Sequence, residues 1–145
     1  MSTVIDIADA VAAEINAAGT GTFSEAFVAV RKVLPVYELP DLAELKVTVV
    51  PKRVEISGAT RAASQYEIAV DIGVQKKVGK DLDTEVAALG TLVDEIADYL
   101  RRRPLSTAPF AVWINIVNEP VYAPEHLAAQ RVFTSVLTIT YRCMK

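Results

Sequence analysis

Residues 65–75 read QYEIAVDIGVQ. Tyr66, Ile68, Val70, Ile72 and Val74 are apolar and mostly β-branched or aromatic, and Glu67, Ala69, Asp71 and Gly73 separate them. Strict alternation of this kind puts one set of side chains on a buried face of a strand and the other set on a wetter face. No other stretch keeps so clean a phase. It is read as the central strand, and the rest of the chain must supply its neighbours and the helices that cover its apolar face.

The neighbours are less regular. In residues 45–57 (LKVTVVPKRVEIS), Leu45, Val47 and Val49 share one parity, while Val54 and Ile56 have the other. A one-residue slip at Pro51 implies a β-bulge. Residues 58–64 (GATRAAS) are small and polar, as at a hairpin tip. Residues 22–34 read as a strand apolar on both faces, with Ala26, Val28 and Val30 on one and Phe23, Phe27 and Val33 on the other. Pro35 and Pro40 end it and hold an extended connection. In residues 110–117 the parity is Phe110, Val112, Ile114 and Ile116, with Trp113 and Val117 opposite. In residues 132–141, Phe133, Leu137, Ile139 and Tyr141 alternate with Thr134, Thr138 and Thr140.

Two helices are predicted. Residues 3–18 carry Val4, Ile7, Val11 and Ile15 on one face, Thr3 as a cap, Asp6 in the first turn and Gly19 as the left-handed stop. Residues 81–103 carry Leu82, Val86, Leu89, Val93, Ile96 and Leu100 at spacings of three and four. Acidic residues open this helix, arginines close it and Pro104 stops it. Gly90 falls on its apolar side and suggests close approach to the sheet. Residues 124–129 suit a short helical turn with proline near its start. The expectation is one α+β domain over residues 1–145, a mostly antiparallel five-stranded sheet with two amphipathic helices in the order α-β-β-β-α-β-β.

At 145 residues the chain suits one domain with a real core. Its apolar share, 52%, is slightly above the globular norm, which suggests a subunit interface. No run is long enough to span a membrane. The acidic N-terminal stretch argues against a secretory signal. A net charge of −3 argues against a dedicated nucleic-acid binder. Cys143, the lone cysteine, is read as a packing residue in a reducing compartment.

Chemistry is scarce. His126 is the only histidine and has no cysteine near it for a zinc site. There is no G-x-S-x-G elbow, and Gly19 and Gly21 follow a helix instead of opening one, so they form no phosphate cradle. Asp81, Asp83 and Glu85 either balance a helix N-terminus or hold a hard divalent cation. Asp94, Glu95 and Asp98 form a solvated or partner-facing acidic flank. Lys52 and Arg53 with Arg61, and Lys76 and Lys77 with Lys80, flank one hairpin or its neighbouring turn. They are either solvated edges or a positive rim for an acidic partner or DNA. No catalytic, metal or cofactor site is assigned, and the chain is read as a non-enzyme.

The element order, with the strings ADAVAAEIN, LKVTVVPKRVEISGATR, YEIAVDIGVQKK and YAPEHL…FTSVLTITYR, resembles the tail terminator (tail completion, minor tail) proteins of long-tailed bacteriophages and prophages over roughly residues 4–142. The resemblance implies a non-enzymatic virion protein assembled in the bacterial cytoplasm. It would form a hexameric ring that caps the tail tube, stops its polymerisation and joins the head-completion proteins, with DNA passing through. The implied partners are further copies of itself, the tube protein and a neck protein. The resemblance also implies a mobile hairpin, matched here by residues 58–64. Lys52, Arg53, Arg61, Lys76 and Lys77 are the candidate assembly or lumen loop. Phe27, Val33 and Trp113 are the candidate subunit contact. Two other readings stay open: another neck or head-closure component, and a small-ligand-binding α+β domain.

Overall fold

The computed structural model describes residues 3–34 and 39–145. Its elements in chain order are α1 (Thr3–Asn16), β1 (Ala29–Arg31), a 3-10 turn (Leu39–Ala43), β2 (Lys46–Gly58), β3 (Ser64–Lys77), α2 (Leu82–Leu100), β4 (Val112–Asn118), α3 (Pro124–Gln130) and β5 (Val132–Met144). The fold is α+β. Its five strands form one sheet in the order β1-β2-β3-β5-β4. Every pairing is antiparallel except β1 with β2, so the sheet is mixed. The short turn at residues 124–129 is a third helix, α3.

The alternation in β3 sets the whole layer. Ile68, Val70, Ile72 and Val74 are buried, and register carries the same face outward through Val49–Ile72–Leu137 and Val54–Ile68–Tyr141–Trp113. Helices α1 and α2 pack on this face, contributing Ile7, Val11, Ile15, Leu89, Leu92, Val93, Ile96 and Leu100 to a continuous core. The opposite face is largely bare and polar, with Glu67, Asp71, Thr138, Thr140 and Arg142 along it. Cations and carboxylates pair there: Lys52 Nζ lies 3.6 Å from Asp71 Oδ1, and Arg142 Nη2 lies 2.7 Å from Glu67 Oε1.

The slip anticipated at Pro51 is a register shift between Pro51 and Arg53. Residues 22–28, in contrast, are not a strand; β1 covers only Ala29–Arg31. The segment wraps over α2 instead. Phe23 stacks against Phe27 and Tyr99, with ring centroids 5.2 Å and 5.5 Å away, and the Ser24 amide and hydroxyl both donate to Glu95 Oε1. Asn16 then fixes β1 by donating to the Ala29 carbonyl and accepting from its amide. Pro40 lies in the 3-10 turn instead of an extended connection. Pro35 lies outside the described residues.

A second bulge, between Trp113 and Asn115, carries no sequence mark. It resets the parity of β4, so Trp113 and Ile116 pack against the core while Phe110, Val112 and Val117 are exposed. Three local expectations also change. Helix α1 stops at Asn16, and the left-handed glycine after it is Gly21, not Gly19. Thr3 lies inside α1, where its hydroxyl accepts from the Lys145 ammonium. Gly90 approaches nothing: a Cβ there meets no atom within 4 Å. Gly90→Ala is therefore expected to raise stability by about 0.5–1 kcal/mol through helix propensity. A higher urea midpoint at unchanged slope would register it, and a lower midpoint would mean that α2 packs more closely than described.

At the foot of the core, Tyr141 is fully buried and its hydroxyl has no hydrogen-bond partner among the described residues. Burial, with a smaller push from the Glu14 carboxylate, raises this phenol well above its usual range. Burial also raises the Cys143 thiol, partly offset by Lys145. Both groups ionise more easily in the unfolded chain, so the unfolded state releases protons first. Stability is complete below the ordinary values of 9.0 and 10.0 and is lost as pH rises above them. Tyr141→Phe is expected to flatten the loss above about pH 10. At neutral pH it should leave stability unchanged or raise it by up to about 1 kcal/mol, because an unpartnered buried hydroxyl disappears. Urea titrations at both pH values measure the pair of effects.

Candidate functional site

The residues singled out in the sequence divide between the two ends of the sheet. β3 runs from Ser64 beside the hairpin turn to Lys77 at the far end, a length of about 43 Å at 3.3 Å per residue. Arg61 sits in the turn between β2 and β3, and Lys52 and Arg53 sit at the bulge on the same arm. Lys76 and Lys77 lie at the opposite end of β3, beside the turn into α2, so the two basic groups are separated along the length of the hairpin. Lys76 Nζ is 3.7 Å from Glu25 Oε1, tied to the residues that wrap α2. Lys52 also reaches Thr138 Oγ1 at 3.4 Å, and Thr138 donates to Asp71 at 2.6 Å. Arg53 Nη1 faces its neighbour Glu55 at 3.7 Å.

The apolar contact candidates also separate. Phe27 and Trp113 are half-buried against the core and offer little free surface, whereas Val33 is 72% exposed. Parity put Phe110 and Val112 on one face with Ile116, yet both are exposed; Val117, placed opposite them, is exposed as well. On the outer half of β2, Val54 and Ile56 belong to the helix side of the sheet by register, yet they are exposed. The helices cover only the inner half of the β2–β3 hairpin. Nothing in a single alternating pattern reveals where a covering helix ends, so this boundary had no signal in the sequence.

The titratable clusters find local explanations. Asp81 caps α2 by accepting from the Thr84 amide, and Glu85 accepts from the Gly79 amide at 2.8 Å, so two members of the acidic trio serve the helix start. Glu95 holds Ser24 and is not a free acidic flank residue. His126 is exposed, with Nδ1 2.9 Å from Thr134 Oγ1. Cys143 is buried. Among the described residues, no group of three His, Cys, Asp or Glu side chains is placed to hold a metal ion, and no helix is long and apolar enough to cross a membrane.

Hollows are open and shallow. One of about 870 Å³ beside β1 is lined by Phe27, Val28, Val30 and Val47, and its Glu25 and Lys76 face each other across an ion pair. A ligand pocket gathers polar groups inside an enclosed apolar cavity; this hollow is open to solvent, with Lys32, Glu44 and Lys46 completing its charged lining. The bare sheet face forms a trough floored by Ala69, Thr138 and Thr140, with Lys52 and Arg53 on one rim and Asn115, Val117 and Glu119 on the other. The chain matches no protein-family model and no curated protein sequence.

Proposed function

We propose that this chain is a structural subunit of a long-tailed phage or prophage tail, a terminator that closes as a ring on the tail tube. The ring ends tube polymerisation and presents its other face to a head-completion protein. The observation that carries this reading is the surface of β4. Seven consecutive residues, VWINIVN, form an edge strand with no charge, no lysine and no proline. Natural sheets guard such edges against pairing, and an unguarded one suits a chain whose role is to meet other chains.

The family resemblance supplies the rest: the same element order, an exposed hairpin arm and no reaction centre needed for the task. Virion assembly in the bacterial cytoplasm follows from that role. Deleting the gene from a phage or lysogen that carries it tests the reading in its biological setting. Overlong tails or unjoined heads are the expected result, and normal virions would end the proposal.

A further inference from the structure

The sheet has two free edges, and they lie level with each other. β1 pairs with β2 only through Val49, so from Val50 to Gly58 β2 has β3 as its sole strand neighbour among the described residues. β4 has only β5. Register across the four strands sets Val50 level with Val117, Val54 with Trp113 and Glu55 with Val112. Three successive antiparallel steps leave β4 running opposite to β2. A copy related by rotation about an axis along the strands therefore brings its β2 beside β4 in antiparallel sense, with both helix layers on the same side.

Both edges carry exposed apolar side chains, those of β4 on the bare face of the sheet and those of β2 on the helix face. β4 offers Val112 and Val117, 61% and 49% exposed. The outer half of β2 offers Val54 and Ile56, 40% and 57% exposed, on the side where no helix covers them. Beyond Trp113 a hollow lined by Pro104, Pro109 and Ala111 opens beside the start of β4, on the side that those two residues would meet. Charges are opposed as well. Lys52 and Arg53 sit on the β2 edge. Glu119 follows β4 and lies on the same bare face of the sheet as Lys52 and Arg53. Glu119 has no ion-pair partner among the described residues.

We infer that β4 of one copy adds to the outer half of β2 of the next, so that a single sheet runs through successive subunits. The occupant of each edge is a second copy of this chain, and the contact is head-to-tail. This inference rests on the ring reading and specifies its interface. Pro51 has no amide to donate and the bulge lies at Lys52, so the ladder is interrupted there, between the Val50–Val117 level and the Val54–Trp113 level. The uncharged β4 is thereby the added strand, and the exposed hairpin arm receives it.

The test uses the full chain in native mass spectrometry and sedimentation velocity. Val112→Lys with Val117→Lys disables the β4 edge, and Val54→Lys with Ile56→Lys disables the β2 edge. Each pair is expected to weaken association by about a hundredfold and leave monomers. Mixing the two variants is expected to give one-to-one dimers that grow no further, because each keeps one working edge. A wild-type ring that survives either variant overturns the inference while leaving the ring reading intact, whereas a wild type that is always monomeric ends both. Dimers that form despite the β2 substitutions and vanish with the β4 substitutions would mean β4 pairs with itself, which also overturns it. Hydrogen exchange on the unmodified chain needs no variant: amides of residues 50–58 and 112–118 should gain protection together as concentration rises, and protection of only one set contradicts the pairing.

Discussion

Truncating Ile72 to alanine is expected to lower stability by about 3–4 kcal/mol. Ile72 is fully buried in the middle strand of the sheet, in the row Val49–Ile72–Leu137 beneath the helices. Its flanking strands are fixed by long antiparallel ladders, so the space left by a shortened side chain cannot close easily, and lost contacts add to lost burial. Ile56→Ala is the internal control. It is the same residue type on the same sheet face but is 57% exposed. In the dissociated chain that change should cost less than about 1 kcal/mol. Urea unfolding of both variants at low concentration checks the contrast. Equal losses would mean that the helix layer extends over the hairpin arm.

Glu14→Ala is expected to be the next most damaging single change, at about 2–3 kcal/mol. Glu14 is a buried carboxylate near the end of α1, with a relative exposure of 7%. Its Oε1 accepts from the Ser106 amide at 2.9 Å, and its Oε2 lies 3.5 Å from Arg103 Nη1. Its backbone carbonyl accepts from the Tyr99 hydroxyl, and Arg103 stacks over the Tyr99 ring at 3.9 Å. One carboxylate thus joins the end of α1, the end of α2 and the turn that leads to β4. Removing it leaves an amide donor without its acceptor and a guanidinium without its counter-ion. Arg103→Ala should cost less, about 1 kcal/mol, because that side chain is 40% exposed and water can substitute. If the arginine change proves the costlier of the two, the Tyr99 stack matters more than the carboxylate.

What could be read from the sequence depended on whether a local mark existed. The stripe of α2 runs from Leu82 to Leu100 without a gap, so the helix was legible, and Pro51 announced the bulge in β2. The bulge in β4 has no proline or glycine beside it, and its parity was therefore misassigned. Residues 22–28 alternate like a strand, but their partners are Tyr99 and Glu95, more than seventy positions away, and such contacts leave no local period. Glu95 looked like a solvated flank for the same reason. Strand order was equally hidden: β5 enters between β3 and β4, which makes β4 an edge, and only tertiary pairing fixes that. The candidate contact residues moved with it, from Phe27 and Trp113 to Val112, Val117, Val54 and Ile56.

The account turns on whether the chain assembles with itself through these edges. Sedimentation velocity of the unmodified 15.7 kDa subunit across a wide concentration range tests this most directly. A single closed, hexamer-sized species that stops growing at higher concentration is the predicted result. A sedimentation coefficient that stays at the monomer value throughout would contradict it.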